Sequence, residues 1–107
     1  MTYPAYEHFK RDRRKSLASQ FVMDWLTGEL DFLAPRDCKR EWVAAQMGMA
    51  GPHVSVALRW LVTNGYLKDH RKSKQEPRCL TLVHRLAPEH IVPEMERRKG
   101  PRLRRAA

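Results

Sequence analysis

The sequence predicts a mainly α-helical domain closed by a small β-hairpin. Three observations carry that reading. Val54, Ala57, Leu58 and Leu61 fall at i, i+3, i+4 and i+7, the spacing that lines one face of a helix. Gly48 before that stripe and Asn64 with Gly65 after it are stop signals, because glycine takes a left-handed helix cap without strain. Further on, residues 78–84 alternate with the period of a strand, and the polar run from Arg71 to Pro77 ahead of them has the composition of a turn.

The elements follow in order. Residues 1–15 form a basic and aromatic arm, with Tyr3, Tyr6 and Phe9 interleaved with Lys10, Arg11, Arg13, Arg14 and Lys15. The arm reads either as an extension of the first helix or as a flexible strap. A first clear helix runs from about Ser16 to Thr27, with Leu17, Phe21, Val22, Trp25 and Leu26 on one face. Ser16 suits its N-cap and Gly28 its C-cap. Residues 29–36 are a connector with a short strand around Phe32 and Leu33, ended by Pro35. Asp37 suits the N-cap of a second helix over about Cys38 to Met47, with Val43, Ala44 and Met47 inward. A third helix starts near Gly51 and Pro52, since proline fits a first turn whose N–H has no helical partner. Tyr66 to His70 and Arg78 to His84 pair as a hairpin, with Leu80, Leu82 and then His84 toward one side. Pro93 interrupts any later helix, and Gly100 with Pro101 opens an arginine-rich tail. The division is an arm (1–15), a folded domain (16–87) and a basic tail that is flexible when free (88–107).

Length and charge bound the function. A chain of 107 residues is one domain, and a packed part of about 80 residues folds without staples. Cys38 and Cys79 stand far apart with no CxxC motif, which reads as two reduced thiols in a cytoplasmic protein. Met1 to Lys15 is charged and has no apolar run, so it is not a signal peptide. No segment approaches the roughly 18 apolar residues of a membrane helix. Net charge is +9 and the pI is about 10.2. The balance is +2 over residues 1–28, 0 over 29–66, +3 over 67–78, −2 over 79–96 and +6 over 97–107. The excess therefore sits in both ends and in the hairpin. Clustered cations are the footprint of a polyanion binder.

The segment from Gln46 to Leu67 resembles the turn and second helix of the winged helix-turn-helix superfamily, and the likeness covers roughly residues 16–86. MarR-type regulators and the winged-helix domains of phage and plasmid replication initiators carry a run of the form LG-hydrophobic-S-x-x-x-V-S-R-A-L-x-x-L-x-x-x-G-hydrophobic. Here Met47, Gly48 and Met49 fill its start. Val54, Ser55, Val56, Ala57, Leu58 and Leu61 fill its middle, and Gly65, Tyr66 and Leu67 its end. The resemblance implies a three-helix core with a two- or three-stranded wing, and double-stranded DNA as the partner. Three positions depart from the pattern. Ala50 replaces the usual serine and removes a capping hydroxyl, which costs about 1 kcal/mol. Val56 stands where arginine is usual, and Gly51 where a longer polar residue is common.

On this reading the helix from residue 51 to 64 lies in the major groove. Two rows face outward, His53, Val56, Trp60 and Thr63 beside Pro52, Ser55 and Arg59. Base reading needs donors and acceptors, and the face offers only His53, Ser55 and Arg59. Lys39 and Arg40 contact phosphate from the second helix. Arg71, Lys72, Lys74 and Arg78 do so from the wing, and Arg97, Arg98, Lys99, Arg102, Arg104 and Arg105 from the tail. The DNA-binding set is thus Lys39, Arg40, Gly51, His53, Ser55, Val56, Arg59, Trp60, Arg71, Lys72, Lys74 and Arg78. Trp25 reads as core and Trp42 as scaffold, while Trp60 is open between packing under the N-terminal arm and a binding contact. His70, His84 and His90 lack metal spacing. No catalytic set or cofactor motif stands out. The reading is a non-enzymatic, nucleoid-associated transcriptional regulator of bacterial or phage type. It is expected to act as a dimer through the first helix with its arm or through the C-terminal segment. The alternatives are a protein-docking module or a replication or recombination accessory protein that uses the Val56/Trp60 face, and a binder of single strands by stacking.

Overall fold

Apolar side chains near both ends of the described residues, Tyr3 to Phe9 and Val92, turn inward, and they decide the architecture. The computed structural model describes residues 2–93. In order these form α1 (Pro4–Arg11), α2 (Leu17–Glu29), β1 (Arg36–Cys38), α3 (Arg40–Met47), α4 (Gly51–Thr63), β2 (Leu67–Asp69), β3 (Arg78–Leu82) and a short 3-10 turn (Pro88–His90). Four α-helices pack with one three-stranded antiparallel sheet in an α+β domain.

The N-terminal residues are neither a strap nor an extension of the next helix. They make a helix of their own, started by Pro4, with Ala5 and Phe9 buried one turn apart and Tyr3 buried just before it. The Ala5 N–H donates to the His84 carbonyl at 2.9 Å, which ties α1 to the far end of the chain. The expected arm is therefore part of the core. Tyr3 packs edge-on against Phe32 at 4.9 Å and lies beside His84. Its hydroxyl is buried with no hydrogen-bond partner among the described residues. Tyr3→Phe removes that unpaired oxygen, so chemical denaturation is expected to show stability unchanged or raised by up to about 1 kcal/mol. A loss of more than that excludes an unpaired hydroxyl.

In α2, Ser16 caps as expected, its Oγ accepting from the Ser19 N–H at 3.0 Å. The helix runs through Gly28 and is capped by Leu30, which is buried. Its inward face is Ser19, Val22, Met23 and Leu26. Leu17 and Phe21, expected on that face, are 66% and 50% exposed. Five apolar residues over ten positions cover about half the helix circumference, and the packing partner α4 takes only one side of that arc.

The connector differs too. Leu33 is 89% exposed and no strand forms around it. The strand is β1, after Pro35, so Asp37 and Cys38 belong to the sheet and not to a helix. α3 begins at Arg40, with Lys39 at the N-cap and no side-chain capping bond. β3 offers β1 its free edge, with Arg36 opposite Leu80, Asp37 opposite Cys79 and Cys38 opposite Arg78. On its other side β3 pairs with β2, Leu67 opposite Leu82 and Asp69 opposite Leu80. The sheet order is β1-β3-β2. Cys38 and Cys79 fall on opposite faces of the sheet. Both are free, and burial pushes the Cys38 thiol up to about 11.

The α3–α4 pair agrees closely with expectation. Gly48 caps α3 at φ 65°, and Val54, Ala57, Leu58 and Leu61 are all buried. Gly65 has φ 85°, and a Cβ there would collide with the His90 ring. That contact shows residues 88–93 folded back onto the domain instead of starting a free tail. Val92 is buried, and its N–H donates to His8 Nε2 at 3.2 Å. His84, expected on the inner side of the hairpin, is exposed, because β3 ends at Leu82. The six tail cations from Arg97 to Arg105 lie outside the described residues.

A buried polar cluster joins α1 to the end of α4. Asp12 is fully buried. It accepts from the Arg14 N–H at 3.0 Å, from Arg14 Nε at 2.9 Å and Nη2 at 2.7 Å, and from the Tyr66 hydroxyl at 2.7 Å. Since the Tyr66 proton goes to Asp12, His8 donates to Tyr66 from Nδ1 at 2.8 Å and accepts from Val92 at Nε2. Burial alone raises a carboxyl pKa. Here the bonds from Arg14 and Tyr66 outweigh it and hold Asp12 below the ordinary carboxylate value.

Candidate nucleic-acid interface

Three elements converge on one basic cleft. Its volume is about 360 Å³. The start of α3 supplies Lys39, Arg40 and Glu41, α4 supplies Ser55, and the hairpin supplies Arg71, Lys74 and Arg78. Five cations and one carboxylate, Glu41, line it. The local reasons are simple. Gly48 turns α3 into α4, so the first residues of both helices come together. Arg40 lies across Gly51, its Nε 3.4 Å from where a side chain there would begin. A larger residue at 51 would press on that guanidinium.

Asp69 organises the hairpin side. Its Oδ1 accepts from the Arg71 N–H at 3.1 Å and from the Cys79 N–H at 3.2 Å, bridging the two strands at the base of the loop. Its Oδ2 lies 3.0 Å from Arg71 Nε and 3.5 Å from Arg78 Nη1. One carboxylate therefore holds two arginines. Burial, then repulsion from Arg71, and also from Arg59, lower the Arg78 pKa, with Asp69 opposing. Two guanidinium groups held on one carboxylate, with Arg40 and the lysines of the cleft nearby, make a locus that attracts an anion. Sequence reasoning missed Asp69. The only signal was one of two acids, Asp69 and Glu76, within a basic run, and its role depends on the strand pairing.

Of the twelve expected residues, Lys39, Arg40, Ser55, Arg71, Lys74 and Arg78 meet in the cleft. Lys72 is exposed at the hairpin tip, where its N–H donates to Glu76 Oε1 at 3.2 Å. Gly51, His53, Val56 and Arg59 line the neighbouring surface of α4 outside the cleft. His53 and Arg59 are exposed, and Val56 is 58% exposed. Trp60 is different. It stacks on Tyr66 at 5.9 Å, and the Arg14 guanidinium covers it at 5.7 Å. Its choice between packing under the N-terminal residues and binding is thereby made for packing on one face. Trp25 and Trp42 meet at 5.2 Å with Arg36 over Trp42, both partly buried at the edge of the core, so Trp25 is not the core residue expected of it.

No protein-family model matches the chain, and no curated protein or solved structure matches it either. Among the described residues, no group of three or more His, Cys, Asp or Glu side chains is placed to hold a metal ion. No described helix is long and apolar enough to cross a membrane.

Proposed function

We propose that this chain is a winged helix-turn-helix protein that binds double-stranded DNA without enzymatic activity, as a nucleoid-associated transcriptional regulator. α4 enters the major groove. The β2–β3 hairpin acts as the wing, and the cleft between them seats the phosphate backbone. The observation that carries this reading is the convergence of Lys39, Arg40, Arg71, Lys74 and Arg78 beside α4. His53, Ser55 and Arg59 supply the only polar base contacts on that helix, so affinity comes mainly from phosphate and sequence preference is modest. The docking alternative through Val56 and Trp60 loses strength, because Arg14 and Tyr66 already cover Trp60.

The test is fluorescence anisotropy on a random-sequence duplex across salt concentrations, with fragmented host DNA as competitor. Five phosphate contacts give a log–log salt slope of about −4.5, or about 500-fold weaker binding for a fourfold rise in salt. Binding that is absent at low salt, or insensitive to salt, overturns the proposal. Better displacement by host fragments than by random duplex identifies a sequence-reading regulator.

A further inference from the structure

α2 carries an apolar ridge whose first half is left uncovered by the other described residues. Leu17 and Phe21 lie one turn apart at 66% and 50% exposure. Trp25, one turn further on, is half-buried against Trp42 and continues the ridge to α3. A contiguous exposed apolar strip of this kind marks an interaction surface.

We infer that this ridge is the face through which two copies of the chain associate. Charge selects that occupant. The protein carries +9, so two copies repel over most of their surface. α2 is the exception, being the only one of the four described α-helices with no lysine or arginine. It is also self-complementary. Exposed Arg13 precedes it and exposed Asp31 closes it, while Arg14 is held by Asp12 and Glu29 by Arg36. An antiparallel α2–α2 pair about a two-fold axis near Phe21 sets Leu17 of each copy opposite Trp25 of the other. The same pairing sets each basic end beside an acidic end and opposes the two helix dipoles. A polyanion would avoid this surface, whereas a second copy fits it.

The arrangement has a geometric consequence. α2 packs on the buried side of α4, so its ridge and the exposed row of α4 point away from the core in opposite directions. Such a dimer is back to back. Its two α4 faces do not sit side by side on adjacent half-sites. Given the DNA reading, on which this last step alone rests, the dimer bridges two duplex segments.

Sedimentation of the full chain without DNA tests the association by itself. The expected result is reversible, concentration-dependent doubling of the 12.6 kDa mass. Phe21→Glu places two like charges at the axis and raises the dimer dissociation constant by about a hundredfold or more. Leu17→Glu, at a more exposed site, acts in the same direction, and circular dichroism reports whether each variant folds. A wild-type chain that stays monomeric, or folded variants that dimerise as well as wild type, overturn the inference. Capture of a labelled duplex by a bead-tethered one reads the bridging. A dimer that binds single duplexes but bridges none overturns the back-to-back geometry. A dimer that binds no duplex overturns the DNA reading and leaves the interface standing.

Discussion

Replacing Lys39, Arg40 and Lys74 together by alanine lowers the magnitude of the salt slope of duplex binding by about 2.7, since each lost phosphate contact removes about 0.9. All three side chains are exposed and line the cleft, and Arg40 has only a loose ion pair, 3.8 Å from Glu41. The fold should therefore survive, which makes them better probes than Arg71 and Arg78, whose pairing with Asp69 holds the hairpin together. The loss should be uniform across DNA sequences, because phosphate contacts carry no sequence information. A His53→Ala change should instead alter preference between sequences and leave the slope alone. An unchanged slope in the triple variant, with its melting temperature preserved, places the DNA contact elsewhere on the protein.

Arg14→Ala is expected to destabilise the protein by about 3 kcal/mol at neutral pH. It strands a fully buried carboxylate with Tyr66 and one backbone N–H as its remaining partners. Breaking a wholly buried pair costs about 3–5 kcal/mol, and the partial exposure of Arg14 sets the lower end. For a domain of this size that lowers the melting temperature by about 15 °C. The pH dependence has a definite sign. The folded-state pKa of Asp12 lies below the unfolded value, near 4. Its stabilisation is complete above that value and is lost as the pH falls through the lower folded one. Denaturation of both proteins at neutral pH and near pH 3 checks this. The gap between wild type and Arg14→Ala should narrow in acid, where the stranded carboxyl takes a proton. A gap that stays constant with pH removes the ion pair as its cause.

Particular residues show why some of this was legible in advance. The α4 stripe and its two stops are local, because i to i+7 spacing and a glycine's positive φ need no distant partner. The alternation at Leu80 and Leu82 is local in the same sense. β1 was not legible. Arg36, Asp37 and Cys38 have no strand pattern, and they form a strand only because β3 presents an unpaired edge. α1 was hidden for a related reason. Phe9 finds Tyr66 at 5.1 Å, and Ala5 finds the His84 carbonyl, both far away in sequence. Asp12 is one acid in a basic arm with no pattern of its own, and only the fold closes Arg14 and Tyr66 around it.

The sequence by itself determined where α4 begins and ends, which four side chains it buries, where the hairpin turns and which cations flank it. These depend on backbone preference and on periodicity within one element. Only the tertiary structure decided that α1 belongs to the core and that residues 88–93 fold back onto it, that Trp60 packs beneath Arg14, and that α2 buries Val22 and Met23 while leaving Leu17 and Phe21 outside. An amphipathic arc wider than the groove it meets has no preferred half of its own. The neighbour that arrives from elsewhere in the chain makes the choice, and the uncovered half becomes surface available to a partner.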